Sequence, residues 1–280
     1  MLKNKKNRIW RIIIILSILI VVISGIWWIG RLVRRLNANA KYEELIIYVN
    51  DLKEPIPESA MASQSEFEET VAEGEEVSEQ LLDIEIPQKN LNWELLHKEN
   101  ADIYAWIYIP GTNIDYPVLQ HPSDNSYYLN YNMDGTKGYP GCIYTEDYNT
   151  KTFADLHTVL YGHNLKDGTM FAALHKYEKE EFISENQYIF IYSQEKVFVY
   201  EIFAAYEFDG IHLLDNYDLE NEYVYEQYLK DIFNLEYSSG RVANIRSEVE
   251  VTKEDRIITL STCTSDANIR FLVAGVLLNP

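Results

Sequence analysis

Nineteen uncharged residues, IIIILSILIVVISGIWWIG, fill the interval between Arg11 and Arg31, and they decide which part of the chain can be a water-soluble body. At ~1.5 Å per helical residue the run is long enough to cross a hydrocarbon core of about 30 Å. Trp10, Trp27 and Trp28 lie near its two ends, where amphipathic rings favour the membrane interface. The run is too long for the apolar core of a signal peptide and no small-residue cleavage pattern follows it, so the reading is an uncleaved anchor rather than a removed leader. Basic residues flank both ends. The positive-inside count is therefore nearly balanced, and the expected topology keeps the N-terminus in the cytoplasm with the bulk of the chain outside.

Charge separates the remainder into parts. Lys3, Lys5, Lys6, Arg8, Arg11, Arg31, Arg34 and Arg35 are eight of the 24 basic residues, which leaves 16 against 44 acidic residues beyond Arg35. A body so acidic repels nucleic acid, and no basic stripe or nucleic-acid module is present. Residues 1–36 are thus expected to form a basic tail and transmembrane anchor. Residues 37–89 are expected to form an acidic stalk: KYEELIIYVNDLKE suits one helix, but PIPESAMASQSEFEETVAEGEEVSEQ is poor in aromatics and broken by Pro55 and Pro57. The folded domain is expected over 90–280.

Within that domain NWELLHKEN has the pattern of a short amphipathic helix. Eight apolar runs follow with strand character: YAWIYIP, TNIDYPVLQ, GCIYTED, TVLYGHN, YIFIYS, KVFVYEIFAAYEF, RIITL and RFLVAGVLL. TMFAALHKY suits a helical turn, and NEYVYEQYLKDIFNLEYS spaces Tyr225, Tyr228, Leu229, Ile232 and Phe233 three and four residues apart, as a helix requires. Many short strands with few helices favour a closed or nearly closed barrel, because closure removes exposed edges. No internal repeat is visible.

The chemistry centres on TLSTCTSDANIRFLVAGVLL, residues 259–278. Cys263 leaves one strand and Arg270 opens the next. A thiol attacks as a thiolate, which a nearby histidine or arginine favours. Of the six histidines, His163 is the best delivered, by an apolar strand into a Gly-His-Asn turn. Taken singly, each residue has a plainer reading: Cys263 as a buried small hydrophobe, His163 as a structural histidine, Arg270 as a strand-end ion-pair partner. A Cys142–Cys263 disulfide also stays open for an extracytoplasmic body. No Cys or His pair has metal-ligand spacing.

Together these residues closely resemble the sortase family of Gram-positive bacteria. LSTC ahead of an arginine that heads the last strand, YGHN about a hundred residues upstream and an N-terminal anchor carry the likeness. WIYIPGTNIDYPVLQ, SYYLN and LYGHNLKDGTMFAAL are similar to class B sortases in particular. The resemblance implies an eight-stranded sortase-type β-barrel, closed, with an N-terminal helix and a helix between the late strands. It implies a catalytic triad of Cys263 as nucleophile, His163 as general acid/base and Arg270 as stabiliser of the oxyanion and substrate; an oxyanion needs preorganised donors, and the backbone N–H of Thr264 is the candidate beside Arg270. Ser261, Thr262, Thr264 and Asn164 are the further candidates for substrate binding.

The implied reaction cleaves a C-terminal sorting signal of secreted proteins after Thr and passes the acyl group, through a thioester, to a cell-wall or pilin amine. No cofactor or metal is required. Only TSDANI separates Cys263 from Arg270, which is short for this class and bears on substrate detail. Two rivals remain open: a tethered cysteine peptidase in which water resolves the thioester, and a non-catalytic surface module.

Overall fold

The computed structural model describes residues 2–51, 84–211, 213–219, 221–235 and 241–279. The middle of the expected stalk, residues 52–83 with Pro55 and Pro57, lies outside the described residues.

Helix α1 (Leu2–Asn50) runs without a break through the boundary expected at residue 36. Its first half holds the apolar run, with Ile13 to Ile29 largely exposed, and is long and apolar enough to cross a membrane. Its second half packs on the folded body. Ala38, Tyr42 and Val49 are buried, and Lys41 pairs with Glu99. The expected solvated stalk is therefore corrected for 38–50. The acidic residues of that stretch face outward, while a stripe at three-, four- and seven-residue spacing meets the barrel.

Strands β1 (Ile103–Tyr108), β2 (Asp115–Leu119), β3 (Ile143–Tyr144), β4 (His157–Tyr161), β5 (Tyr188–Tyr192), β6 (Val197–Asp209), β7 (Ala243–Ile245), β8 (Ile257–Cys263) and β9 (Ile269–Leu277) form one sheet. Its order is β5-β1-β2-β3-β4-β8-β9-β6, and β5 pairs again with β6, so eight strands close a barrel. The ninth, β7, continues from β6 at residues 204–206. Each of the eight strands expected from apolar runs is present, and β7 is an addition. Its three residues include Asn244, whose side chain donates to the Tyr177 carbonyl, so the strand carries no apolar run to announce it.

Strands β2/β3 and β4/β8 pair in parallel. Parallel neighbours need long crossovers, and the one between β4 and β8 holds the 3₁₀ segment and the late helix. Helix α2 (Trp93–Glu99) precedes the barrel, with Asn92 accepting from the Leu95 N–H as its N-cap and Trp93 and Leu96 buried. A 3₁₀ segment (Phe171–Glu178) takes the place of the helical turn expected at TMFAALHKY. Helix α3 (Glu222–Phe233) begins at Asn221, whose side chain caps Tyr223 and Val224. It buries Tyr225, Tyr228, Leu229 and Ile232 against Phe203, Tyr206 and Leu272 on the outer face of the barrel. Each such side chain contributes on the order of 1.5–3 kcal/mol when fully removed from water.

Candidate active site

Register builds the site. Cys263 is the last residue of β8 and Arg270 the second of β9, and they face each other across the antiparallel pair. Strand β4 lies parallel to β8 with Tyr161 opposite Ser261, and the Gly162 N–H continues the ladder to the Ser261 carbonyl at 3.2 Å. Carried two residues further, this alignment brings His163 alongside Cys263. Gly162 is required there, since a Cβ would come 2.6 Å from Ile143 and 2.7 Å from Phe171.

Cys263, His163 and Arg270 all line one cleft of about 850 Å³, together with Tyr144, Tyr139, Glu146 and Leu272. Trp27, Arg31 and Arg34 of α1 form part of its wall. Cys263 is exposed and its thiol is free. Cys142 is also free but buried, and burial pushes its thiol up to about 12, so it stays protonated and unreactive. No disulfide joins the two.

The His163 Nε2–H donates to the Leu129 carbonyl at 2.7 Å, which fixes the tautomer and leaves Nδ1 as the nitrogen available for proton transfer. The Tyr139 ring packs edge-on against the imidazole at 5.1 Å. Burial lowers the His163 pKa, with the Leu129 carbonyl opposing the shift, so neutral imidazole is favoured near neutral pH. The imidazolium is the minority species in this pocket.

The remaining expected site residues divide. Ser261 and Thr262 are buried and line the cleft, but the Thr262 hydroxyl donates to the Gly162 carbonyl at 2.8 Å and so fixes β8 against β4. Asn164 Nδ2 donates to the Cys263 carbonyl at 2.8 Å and lies 2.9 Å from His175 Nε2, holding the backbone at Cys263. Thr264 begins the tight turn: its hydroxyl reaches Asp266 O and Ile269 O, and its N–H points at Ile269 O at 3.4 Å. That N–H was expected to serve an oxyanion, and the turn engages it instead. Arg270 Nη1 donates to Ala267 O at 2.9 Å and Ile269 O at 3.3 Å. Among the described residues, Nη2 and Nε of Arg270 have no hydrogen-bond partner.

His175 is a participant that the sequence did not single out. Its Nδ1 meets the Glu178 carboxylate at 2.5 Å, its ring stacks on Phe271 at 5.0 Å, and its Nε2 lies 3.0 Å from the Cys263 carbonyl and 2.9 Å from Asn164 Nδ2. Only its place in the 3₁₀ segment puts it there, and no local motif marks it.

Residues 107–278 match the Sortase domain family. The chain belongs to the sortase family. Sortase B of Listeria monocytogenes is 37% identical over 190 residues, covering 65% of this chain and 72% of its own. Sortase B of Staphylococcus aureus is 35% identical over 174 residues, covering 61% and 67%. The structure of a Staphylococcus aureus sortase B–substrate complex superposes with a TM-score of 0.59 at 29% identity, over 85% of this chain and 95% of that one. This protein is a class B sortase, of a family of cysteine transpeptidases, and its closed eight-stranded barrel with a late helix is the sortase fold.

Proposed function

We propose that this class B sortase is a membrane-anchored transpeptidase that cleaves the sorting signal of secreted proteins after Thr and transfers the acyl group to a cell-wall or pilin amine. The observation that carries the reading is the strand register that gathers Cys263, His163 and Arg270 into one cleft, walled in part by the anchor helix. Cys263 Sγ attacks the Thr carbonyl carbon as thiolate. The oxyanion is met by the unengaged edge of the Arg270 guanidinium. His163 Nδ1, protonated, gives its proton to the departing amine, and the C–N bond breaks to leave a thioester. The acceptor amine attacks that carbonyl, His163 takes a proton from it, and the thiolate departs. A thiolate with an imidazolium is the form that reacts.

In this reading α1 spans the membrane with the N-terminus cytoplasmic, and residues 90–280 act outside. The test incubates the full chain with a panel of sorting peptides and a small amine, with products read by mass spectrometry. The expected result is an amide between amine and peptide that requires Cys263 and vanishes in Cys263→Ala. Release of free acid alone, undiminished by amine, would make the protein a hydrolase.

A further inference from the structure

The anchor helix touches the loop on which His163 rests. Tyr42 is 4% exposed, and its hydroxyl donates to the Gly141 carbonyl at 2.8 Å and lies 3.2 Å from Cys142 Sγ. Its ring packs edge-on to Tyr116 at 5.7 Å. On the other side of Gly141 is the catalytic imidazole: a Cβ on Gly141, whose φ is +72°, would stand 3.0 Å from His163 Cδ2. The same loop supplies the other two contacts to that ring, the Leu129 carbonyl and the Tyr139 ring. It is internally tied by Cys142 N–H to the Tyr128 carbonyl and by Gly141 N–H to Asn132 Oδ1. The loop is therefore cross-braced, and Tyr42 fastens it to α1.

We propose that Tyr42 is a positioning residue for His163: by holding the Gly141 carbonyl from the anchor helix, it keeps the loop seated and the imidazole in register with Cys263. The chemistry requires a donor there, because the Gly141 carbonyl is buried and a buried acceptor left unpaired costs more than the bond is worth in water. Helix α1 is itself held at both ends of this stretch, by Arg35 to Asp167 and by Asn50 to Asp115. The part of the chain that enters the membrane thus participates in placing the general acid. This proposal rests on the assignment of His163 as that acid.

The test uses the full chain in detergent micelles or nanodiscs. Kinetics are measured with Cys263 present. The His163 titration is followed by NMR in the Cys263→Ala background, so that the imidazole is read alone. The charged and titratable groups that share its cleft are then Lys137 and Tyr139 on the loop, Tyr144 and Glu146 at β3, Tyr161 of β4, Asp209 of β6, Arg270 of β9, and Arg31 and Arg34 on α1. Tyr42→Phe keeps the buried ring and removes the donor. Its kcat is expected to fall about tenfold, the scale of a small misplacement of a reacting group, with KM within about twofold. The His163 midpoint should rise from its lowered position toward the ordinary ~6.5 as water reaches the ring. Asn132→Ala, which frees Gly141 N–H in the same loop, should move that midpoint the same way and serves if Tyr42→Phe does not fold. Lys41→Ala, which cuts a neighbouring helix contact to Glu99 away from the loop, should change neither reading.

A Tyr42→Phe protein with an unmoved midpoint overturns the proposal, whether or not its melting temperature drops. So does a midpoint that shifts with no loss of kcat. Failure of the unmodified chain to process any sorting peptide would strike the transpeptidase reading, and the His163 midpoint would still decide the role of Tyr42.

Discussion

At the residue scale, Arg270 separates two kinds of electrostatic help. A point charge near a thiolate is supplied almost equally by lysine, whereas a planar fork that grips a carbonyl oxygen is not. The structure favours the fork: one guanidinium nitrogen is committed to Ala267 and Ile269, which fixes the plane and presents the remaining donors to the cleft. Arg270→Lys is therefore expected to lose about 100- to 1000-fold in kcat, the usual effect of removing an aligned oxyanion donor, with the Cys263 alkylation rate little changed. A variant within a few-fold of wild type would reduce Arg270 to a neighbouring charge. Cys142→Ala should keep most activity, because its thiol is buried and protonated, and intact-mass analysis after brief alkylation should find label on Cys263 only. That Cys263, His163 and Arg270 share one cleft was legible because they sit in or beside short motifs of side chains. Their supports were not: the Leu129 carbonyl that fixes the His163 tautomer is a backbone atom, and any residue could carry it.

At the element scale, the parallel joint between β4 and β8 both aligns the site and conceals a titrating group. His157 begins β4, is buried, and has Nε2 2.8 Å from Thr259 Oγ1 on β8. Among the described residues Nδ1 finds no partner. Burial lowers its pKa to about 3, against ~6.5 in the unfolded chain. Between those values the unfolded chain binds the extra proton, so stability is full above pH ~6.5 and declines as pH falls through that window. From pH 7.5 to 5.0 the loss from this one group is about 2 kcal/mol. Urea unfolding at the two pH values should show it, and His157→Gln, which keeps a neutral partner for Thr259, should show a drop smaller by about that amount. Equal pH dependence in both proteins would remove His157 from the account. The strands themselves were legible from apolar runs such as RFLVAGVLL. β7 was not, because a three-residue strand containing Asn244 exists through its partner β6 rather than through its own pattern.

At the scale of the whole molecule, one buried charge network joins three parts that lie apart in the sequence. Lys89 Nζ lies 2.6 Å from Asp115 Oδ2 on β2 and donates to Asn50 Oδ1 at the end of α1. Asn50 Nδ2 also donates to Asp115, and Trp106 Nε1 on β1 reaches its other oxygen at 2.6 Å. Composition assigned Lys89 to an acidic, solvated stalk. Its true setting is almost fully buried and depends on a partner 26 residues away, which local patterning does not reveal. A buried pair adds little over a well-packed apolar replacement of both partners, but losing one partner strands the other charge at a cost of about 3–5 kcal/mol. Lys89→Met should therefore lower the unfolding free energy by about that much in chemical denaturation. Adding Asp115→Asn should recover a large part of the loss, since the stranded carboxylate is gone, Trp106 can still donate to the amide oxygen, and Asn50, released from Lys89, can turn its own oxygen toward the new amide NH2. If the second substitution instead deepens the loss by its own independent amount, the two groups act separately. Helix α1 would then be held to the barrel by its apolar stripe of Ala38, Tyr42 and Val49 rather than by this network.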